Sequence, residues 1–370
     1  MEGLNIRLIL LLGLVSLFAD WLYEGMRAAA PQYLAYLGAS AAFVGFVFGL
    51  GDALGYAARF VTGPLADKRG GYWLETFLGY GLQVGAVAGL VFARDVWHVA
   101  ALIFLERFSK ALRTPARDVI IASAGGKGAR GKAFGIHAAL DQIGAVAGAV
   151  TATTLLYLGH TPRDVFAAVL IPGVAALAML YLAYKVGNVK PSRRAPTRGE
   201  LANALAFGAA QFFLGLSLVH ISLFMYKTAD VAWVASLLYL VAMVAEIPLS
   251  VALGHLYDRS SRMVYAGPLL AALLALCFIQ GGAYYFVGAV LYASLTAYAD
   301  IVAKAYASKL GGATSLGVVN SLWGLGLMLG GVLYGYWLDV GQETYIVAMA
   351  LLSSTTSLAI LRFLHSRIHL

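Results

Sequence analysis

Apolar runs of about twenty residues follow one another along the whole chain, each closed by a few charged, Gly or Pro residues. That recurrence decides the solvent, because about 20 apolar residues in a helix cross the hydrocarbon core of a bilayer. Reading from one polar break to the next gives twelve segments: 6–36, 38–66, 73–93, 96–120, 132–158, 163–187, 200–226, 229–256, 263–281, 283–308, 313–337 and 343–365. Of the 370 residues, 61% are hydrophobic and only 12% are charged, whereas a soluble domain carries about 25% charged residues. Such a chain hides its apolar surface in lipid, so the predicted fold is an all-α membrane protein of twelve transmembrane helices.

The formal net charge of +8 is not a nucleic-acid signature here, because the basic residues sit in short connections between apolar runs. With the N-terminus inside, 19 of the 26 Lys and Arg residues fall in inner loops and termini, among them Arg7, Lys68, Arg69, Lys127, Arg130, Arg193, Arg259, Arg262 and Arg367. The outer loops hold only Arg94, Arg163 and Lys227. This asymmetry predicts that both termini face the cytoplasm of a plasma or inner membrane. The longest polar break, Lys185 to Glu200, contains Pro191 and Pro196 and separates six spans from six. It predicts an N-terminal bundle (1–187), a cytoplasmic linker (188–199) and a C-terminal bundle (200–370). The first apolar run continues without a small-residue cleavage pattern, so no removable signal peptide is expected.

Cys277 is the only cysteine, which leaves no intramolecular disulfide and no thiolate metal site. Asn (4) and Gln (6) are scarce and the loops short, as in chains of thermophilic origin. The glycine-rich stretches lie inside apolar segments without a preceding strand or a Gly-Lys-Ser/Thr ending, so they read as helix packing surfaces, not nucleotide loops. Neither a cofactor nor ATP-driven chemistry is expected, and no nucleophile–base set suggests an enzyme.

The sequence repeats at half its length. Gly63-Pro64-Leu65-Ala66-Asp67-Lys68-Arg69-Gly70 follows the second segment, and Gly254-His255-Leu256-Tyr257-Asp258-Arg259 follows the eighth, 191 residues later. Gly135, Gly144 and Gly148 of the fifth segment recur as Gly317, Gly326 and Gly330 of the eleventh, each 182 residues on. Two similar six-helix bundles follow, with a pathway where they meet.

The Gly-x-Leu-Ala-Asp-Lys-x-Gly loop resembles the signature between helices two and three of the major facilitator superfamily, and the second copy fits the same place in the other half. The resemblance covers essentially the whole chain. It implies two pseudo-symmetric six-helix bundles that alternate access, and a latch on the cytoplasmic side formed by Gly63, Asp67, Lys68, Gly254, Asp258 and Arg259. The stretch Arg107-x-x-Lys110-x-x-Arg113-x-Pro115-x-Arg117-Asp118, with Lys132 to Gly135 and Asp141, is similar to a prokaryotic subgroup of efflux permeases. The proline of the family's antiporter signature is missing from Gly144-Ala145-Val146-Ala147-Gly148.

A charge at mid-bilayer costs about 2.5–3.5 kcal/mol on insertion scales, so each needs a partner or a task. Asp20, Glu24 and Arg27 share one face of the first helix, either as a self-neutralising cluster or as a proton or substrate site. Glu106 and Arg107 lie near mid-depth of the fourth, where the family carries a buried Arg linked to proton transfer. His137 and Asp141, four apart, are too few ligands for a metal. Asp141 is a substrate or proton contact or a packed pair. Asp300 and Lys304 suggest an ion pair, Asp52 and Glu246 are packing partners or relay members, and His220 is a satisfied polar contact or a ligand. Tyr23, Tyr33, Tyr226 and Tyr239 are cavity candidates. The cavity set is therefore Asp20, Glu24, Arg27, Glu106, Arg107, Asp141, His220 and Asp300, with no metal among it. The expected partners are a small-molecule substrate, H⁺ as coupling ion and the bilayer around a monomer. Proton-coupled efflux of an organic compound is the leading expectation. Uptake of a small organic anion at Arg27 and Arg107, divalent-metal export through Asp20, Glu24 and His220 and, from another class, a membrane-embedded enzyme are the alternatives.

Overall fold

The structure, a computed structural model, describes residues 5–59, 61–62, 65–66, 70–125, 130–187 and 201–368. Among those residues the regular secondary structure is helical. The helices are α1 (Ile6–Tyr36), α2 (Ala41–Ala57), α3 (Tyr72–Phe92), α4 (Val96–Gly125), α5 (Arg130–Tyr157), α6 (Pro162–Val186), α7 (Leu201–Ser217), α8 (Ile221–Lys227), α9 (Ala232–Arg259), α10 (Ala266–Gln280), α11 (Tyr284–Ala297), α12 (Lys304–Asp339) and α13 (Thr344–Ile368). Among the described residues, ten helical stretches are long and apolar enough to cross a membrane. The remaining two of the twelve expected spans are α2, only 17 residues long, and α4, whose 30 residues carry buried charge. Gly63, Asp67 and Lys68, the first half of the expected latch, lie outside the described residues, as does the linker 188–199. Of its second half, Asp258 and Arg259 are exposed at the end of α9.

Two differences from the expected spans have local causes. The seventh span is broken: α7 stops at Ser217 and α8 begins at Ile221, with His220 as the N-cap of α8. The tenth and eleventh spans are joined by helix. A π-helical segment, Tyr298–Ala303, leads from α11 into α12, and the apolar stretches Tyr284–Ala307 and Gly317–Asp339 are connected through helical backbone. Helix ends elsewhere follow ordinary capping. Thr161 and Asp164 form a reciprocal capping box before α6, with Pro162 in its first turn. Asp95 accepts from the backbone N–H groups of Trp97 and His98 at the start of α4, and those bonds hold its carboxyl below the usual carboxylate range.

By internal contact the chain forms two compact units. One comprises 1–33 and 58–194, the other 34–57 and 195–370. In the first, Leu8, Ile9 and Leu12 of α1 pack with Ala116, Ile120 and Ile121 of α4, and Val15 and Ala19 pack with Tyr80 of α3 and Leu180 of α6. In the second, α12 packs against both α2 and α7.

Glycine sets the closest crossings. A Cβ at Gly144 would lie 2.1 Å from the carbonyl oxygen of Leu17, and one at Gly148 would lie 2.5 Å from that of Trp21, so α1 and α5 touch backbone to backbone. The second unit repeats the arrangement: a Cβ at Gly326 would lie 2.1 Å from the carbonyl oxygen of Phe212, and one at Gly330 would lie 2.9 Å from that of Leu216. The repeat read in the sequence is thus a repeat of one helix crossing. Gly135 is different, with no atom within 4 Å of where its Cβ would be. A third seam joins α2 to α12, where a Cβ at Gly45 would lie 2.0 Å from the carbonyl oxygen of Gly331.

Candidate functional site

The first unit gathers ionisable side chains from three helices. On α1, Ser16, Asp20, Tyr23, Glu24 and Arg27 recur at helical spacing and form one polar stripe. On α4, Glu106, Lys110, Arg113 and Arg117 do the same, with Arg107 beside them. His137 and Asp141 come from α5. Asp20, Glu24, Glu106, Arg107 and Arg113 are all buried.

Tyr23 is the centre of this array. The Arg27 guanidinium donates to its hydroxyl at 2.8 Å. The Arg107 guanidinium lies 4.5 Å and the Lys110 ammonium 4.2 Å from the ring centroid, with Arg27 at 5.6 Å. One turn away, Arg113 reaches Asp20 at 3.9 Å and lies 4.6 Å from the centroid of Tyr80. Arg113 is only 1% exposed, and its Nε and Nη1 find no hydrogen-bond partner among the described residues. Glu106 is fully buried and accepts from the Gln83 amide at 3.3 Å, while its other oxygen is 3.4 Å from Nε of Arg107. Ser16 donates to Asp141. Arg117 and Asp118 pair at 2.9 Å.

Aromatic faces thus hold cations where carboxylates would neutralise them. A cation over a ring gains about 0.5–2 kcal/mol, more when desolvated. Two unit charges about 8 Å apart still repel by about 2 kcal/mol at an effective dielectric constant near 20. The arrangement keeps several cations close together, with Glu106 beside Arg107 and Asp20 beside Arg113.

The second unit places the remaining candidates in two spots. Gln211, Asp300, Lys304, Asn320 and Trp323 line a small cavity beside the π-helical segment, and Asp300 pairs with Lys304. His220 lies apart from that cavity's lining, with its Nε2 3.3 Å from Asp52. Among the described residues no group of three or more His, Cys, Asp and Glu side chains is arranged to hold a metal.

Asp20, Glu24, Arg27, Glu106, Arg107 and Asp141 all lie on the facing helices of one unit, while His220 and Asp300 lie in the other. Ser16, Tyr80 and Gln83 were missed by sequence reading. Ser16 stands one turn before Asp20 on the same stripe, and Gln83 is an isolated amide in an apolar span. Each is a polar residue without a local partner, and that was the available signal.

These features define a multi-pass helical membrane protein built from two units that share a helix crossing and bury balanced charge inside one of them. The chain belongs to the Major Facilitator Superfamily, whose sequence pattern it matches over residues 9–331. It is therefore a secondary transporter of small molecules and not an enzyme. An uncharacterized protein of Mycobacterium tuberculosis is 31% identical over 368 residues, spanning 93% of this chain and 89% of the relative. An uncharacterized MFS-type transporter of Methanocaldococcus jannaschii is 29% identical over 174 residues, 46% of this chain and 43% of the relative. Among solved structures, a mutant of the nucleoside transporter NupG superposes with a TM-score of 0.78 at 12% identity, covering 95% of this chain and 99% of that one. The peptide transporter POT in complex with sulfate gives 0.77 at 14% identity, covering 97% and 95%. At these identities the solved structures establish the fold alone.

Proposed function

We propose that this transporter moves a small organic anion together with protons. The observation that carries the reading is the convergence of Arg27, Arg107 and Lys110 on the single ring of Tyr23. The ring brings three cations together at one point, and an anionic group settling beside them lowers their mutual repulsion. A cationic substrate would add to that repulsion.

Coupling follows from Asp20 and Glu24 on the same helix face. An ionised carboxylate competes with the substrate for the cations. A proton on that carboxylate releases its partner, so anion and proton favour each other's binding, as linkage requires. Co-binding of an anion and a proton is symport, and an inward proton gradient then drives uptake. The efflux expected from the permease resemblance needs the opposite sign, with substrate and proton excluding each other.

Proteoliposomes distinguish the two. Radiolabelled organic anions, cations and neutral compounds would be offered with the outside more acidic than the lumen. Accumulation of an anion, abolished by a protonophore, is the expected result. Movement of a cation against the proton flow, with no anion transported, would overturn the reading.

A further inference from the structure

The break in the seventh span is built around a titratable side chain that the anion site does not use. His220 is 1% exposed and lies between the aromatic rings of Phe48, stacked at 6.0 Å, and Tyr292, edge-on at 5.5 Å. Its Nδ1 accepts from the backbone N–H of Ser222 at 3.2 Å and is 2.8 Å from the Ser222 hydroxyl. A backbone N–H can only donate, so Nδ1 carries no proton in this arrangement. The ring proton therefore sits on Nε2, which faces Asp52 at 3.3 Å. Phe48 and Asp52 from α2, Ser222 from α8 and Tyr292 from α11 stand around the imidazole. Asp52 is the carboxylate among them.

We propose that Asp52 and His220 form a proton-binding site of their own, whose occupancy decides whether α8 is capped at its start. A proton arriving from water adds to Nδ1, giving an imidazolium beside the Asp52 carboxylate. Nδ1 can then donate to the Ser222 hydroxyl, but it no longer accepts from the Ser222 backbone. The backbone N–H loses its acceptor inside an apolar span, where such a group is costly. Asp52 offsets the new charge, so the proton is retained at the expense of the helix start. Protonation thus loosens the joint between α7 and α8. The two helices together form one membrane span, Asn203–Lys227, so loosening their joint alters a whole span. The site stands on residues of the second unit alone and does not depend on the anion reading.

The test is backbone hydrogen–deuterium exchange of the full chain in nanodiscs, followed for peptides covering residues 218–224 and corrected for intrinsic exchange. Between about pH 8 and 5, where histidine side chains titrate, protection of this segment should fall several-fold in the wild type while that of α13 stays constant. His220→Gln, which cannot titrate, should make the protection independent of pH. Asp52→Asn removes the anion that favours imidazolium and should move the transition to lower pH. Constant protection across that range in the wild type would overturn the proposal, as would a transition unaltered by Asp52→Asn. The wild-type and Asp52→Asn profiles decide the matter even where His220→Gln fails to fold.

Discussion

The ammonium of Lys110 stands 4.2 Å from the centroid of the Tyr23 ring, a cation from the fourth helix resting on an aromatic of the first. Arg107 and Arg27 share that ring, so removing the ring tests all three contacts at once. Tyr23→Phe keeps the face and loses only the hydroxyl bond to Arg27. Tyr23→Leu should lower stability by about 1–3 kcal/mol relative to Tyr23→Phe, from two or three cation–π contacts. Thermal unfolding of the two purified variants gives the comparison. Equal midpoints would show that the ring does not hold the cations.

Glu24 is the expected coupling carboxylate. Glu24→Gln should abolish accumulation driven by a pH gradient and leave exchange at equal pH largely intact. Full accumulation in the variant would remove Glu24 from the mechanism, and Asp20 and Asp141 would be examined by the same assay.

Asp20 and Arg113 form a buried pair at 3.9 Å. Removing one partner of a buried ion pair costs about 3–5 kcal/mol, whereas replacing both by apolar groups is often neutral. Asp20→Asn should therefore destabilise the protein more than Asp20→Asn combined with Arg113→Met. A double variant less stable than the single one would show that the pair is not energetically coupled.

The glycine crossings allow a controlled comparison. Gly144→Val and Gly326→Val both drive a side chain into a facing carbonyl and should sharply reduce the yield of monodisperse protein. Gly135→Ala meets nothing and should leave yield unchanged while raising helix stability by about 0.5–1 kcal/mol. Size-exclusion profiles of the three variants decide the point, and a well-behaved Gly144→Val would refute the close crossing.

Topology is open to direct labelling. His160, between the fifth and sixth spans, and Ser260, after the eighth, are both exposed. Single cysteines placed there in a Cys277→Ala background should react with an impermeant maleimide from opposite faces of the membrane, Ser260→Cys from the cytoplasmic side. Reaction of both from one side would overturn the orientation read from the Lys and Arg distribution.

The spans were legible in the sequence because bilayer thickness fixes the length of an apolar helix, and nothing in the tertiary structure has to be known. Expected and observed limits agree to within a few residues for α1, α3, α5 and α6. The break after Ser217 was not legible. Leu218 and Val219 carry no turn signal, and the capping His220 meets Asp52, 168 positions earlier in the chain. The charged face of α1 could be read from spacing alone, since its members lie three and four residues apart. That Tyr23 gathers three cations depends on α4 lying against α1, a long-range fact that periodicity does not contain. The glycine repeat was visible as a pattern, but the pattern could not separate Gly144, which meets a carbonyl, from Gly135, which meets nothing.

The seam between α2 and α12 has a practical consequence for anyone who divides the gene. A cut between residues 187 and 200 looks harmless, because it falls in the longest polar stretch of the chain. It would nevertheless leave α2 on the first fragment and its glycine-lined counterpart, α12, on the second. Expressed alone, the first fragment would leave Gly45 and Gly49 without the α12 backbone that they meet in the whole chain. Co-expressed, the fragments carry a ready-made zipper with which to find each other.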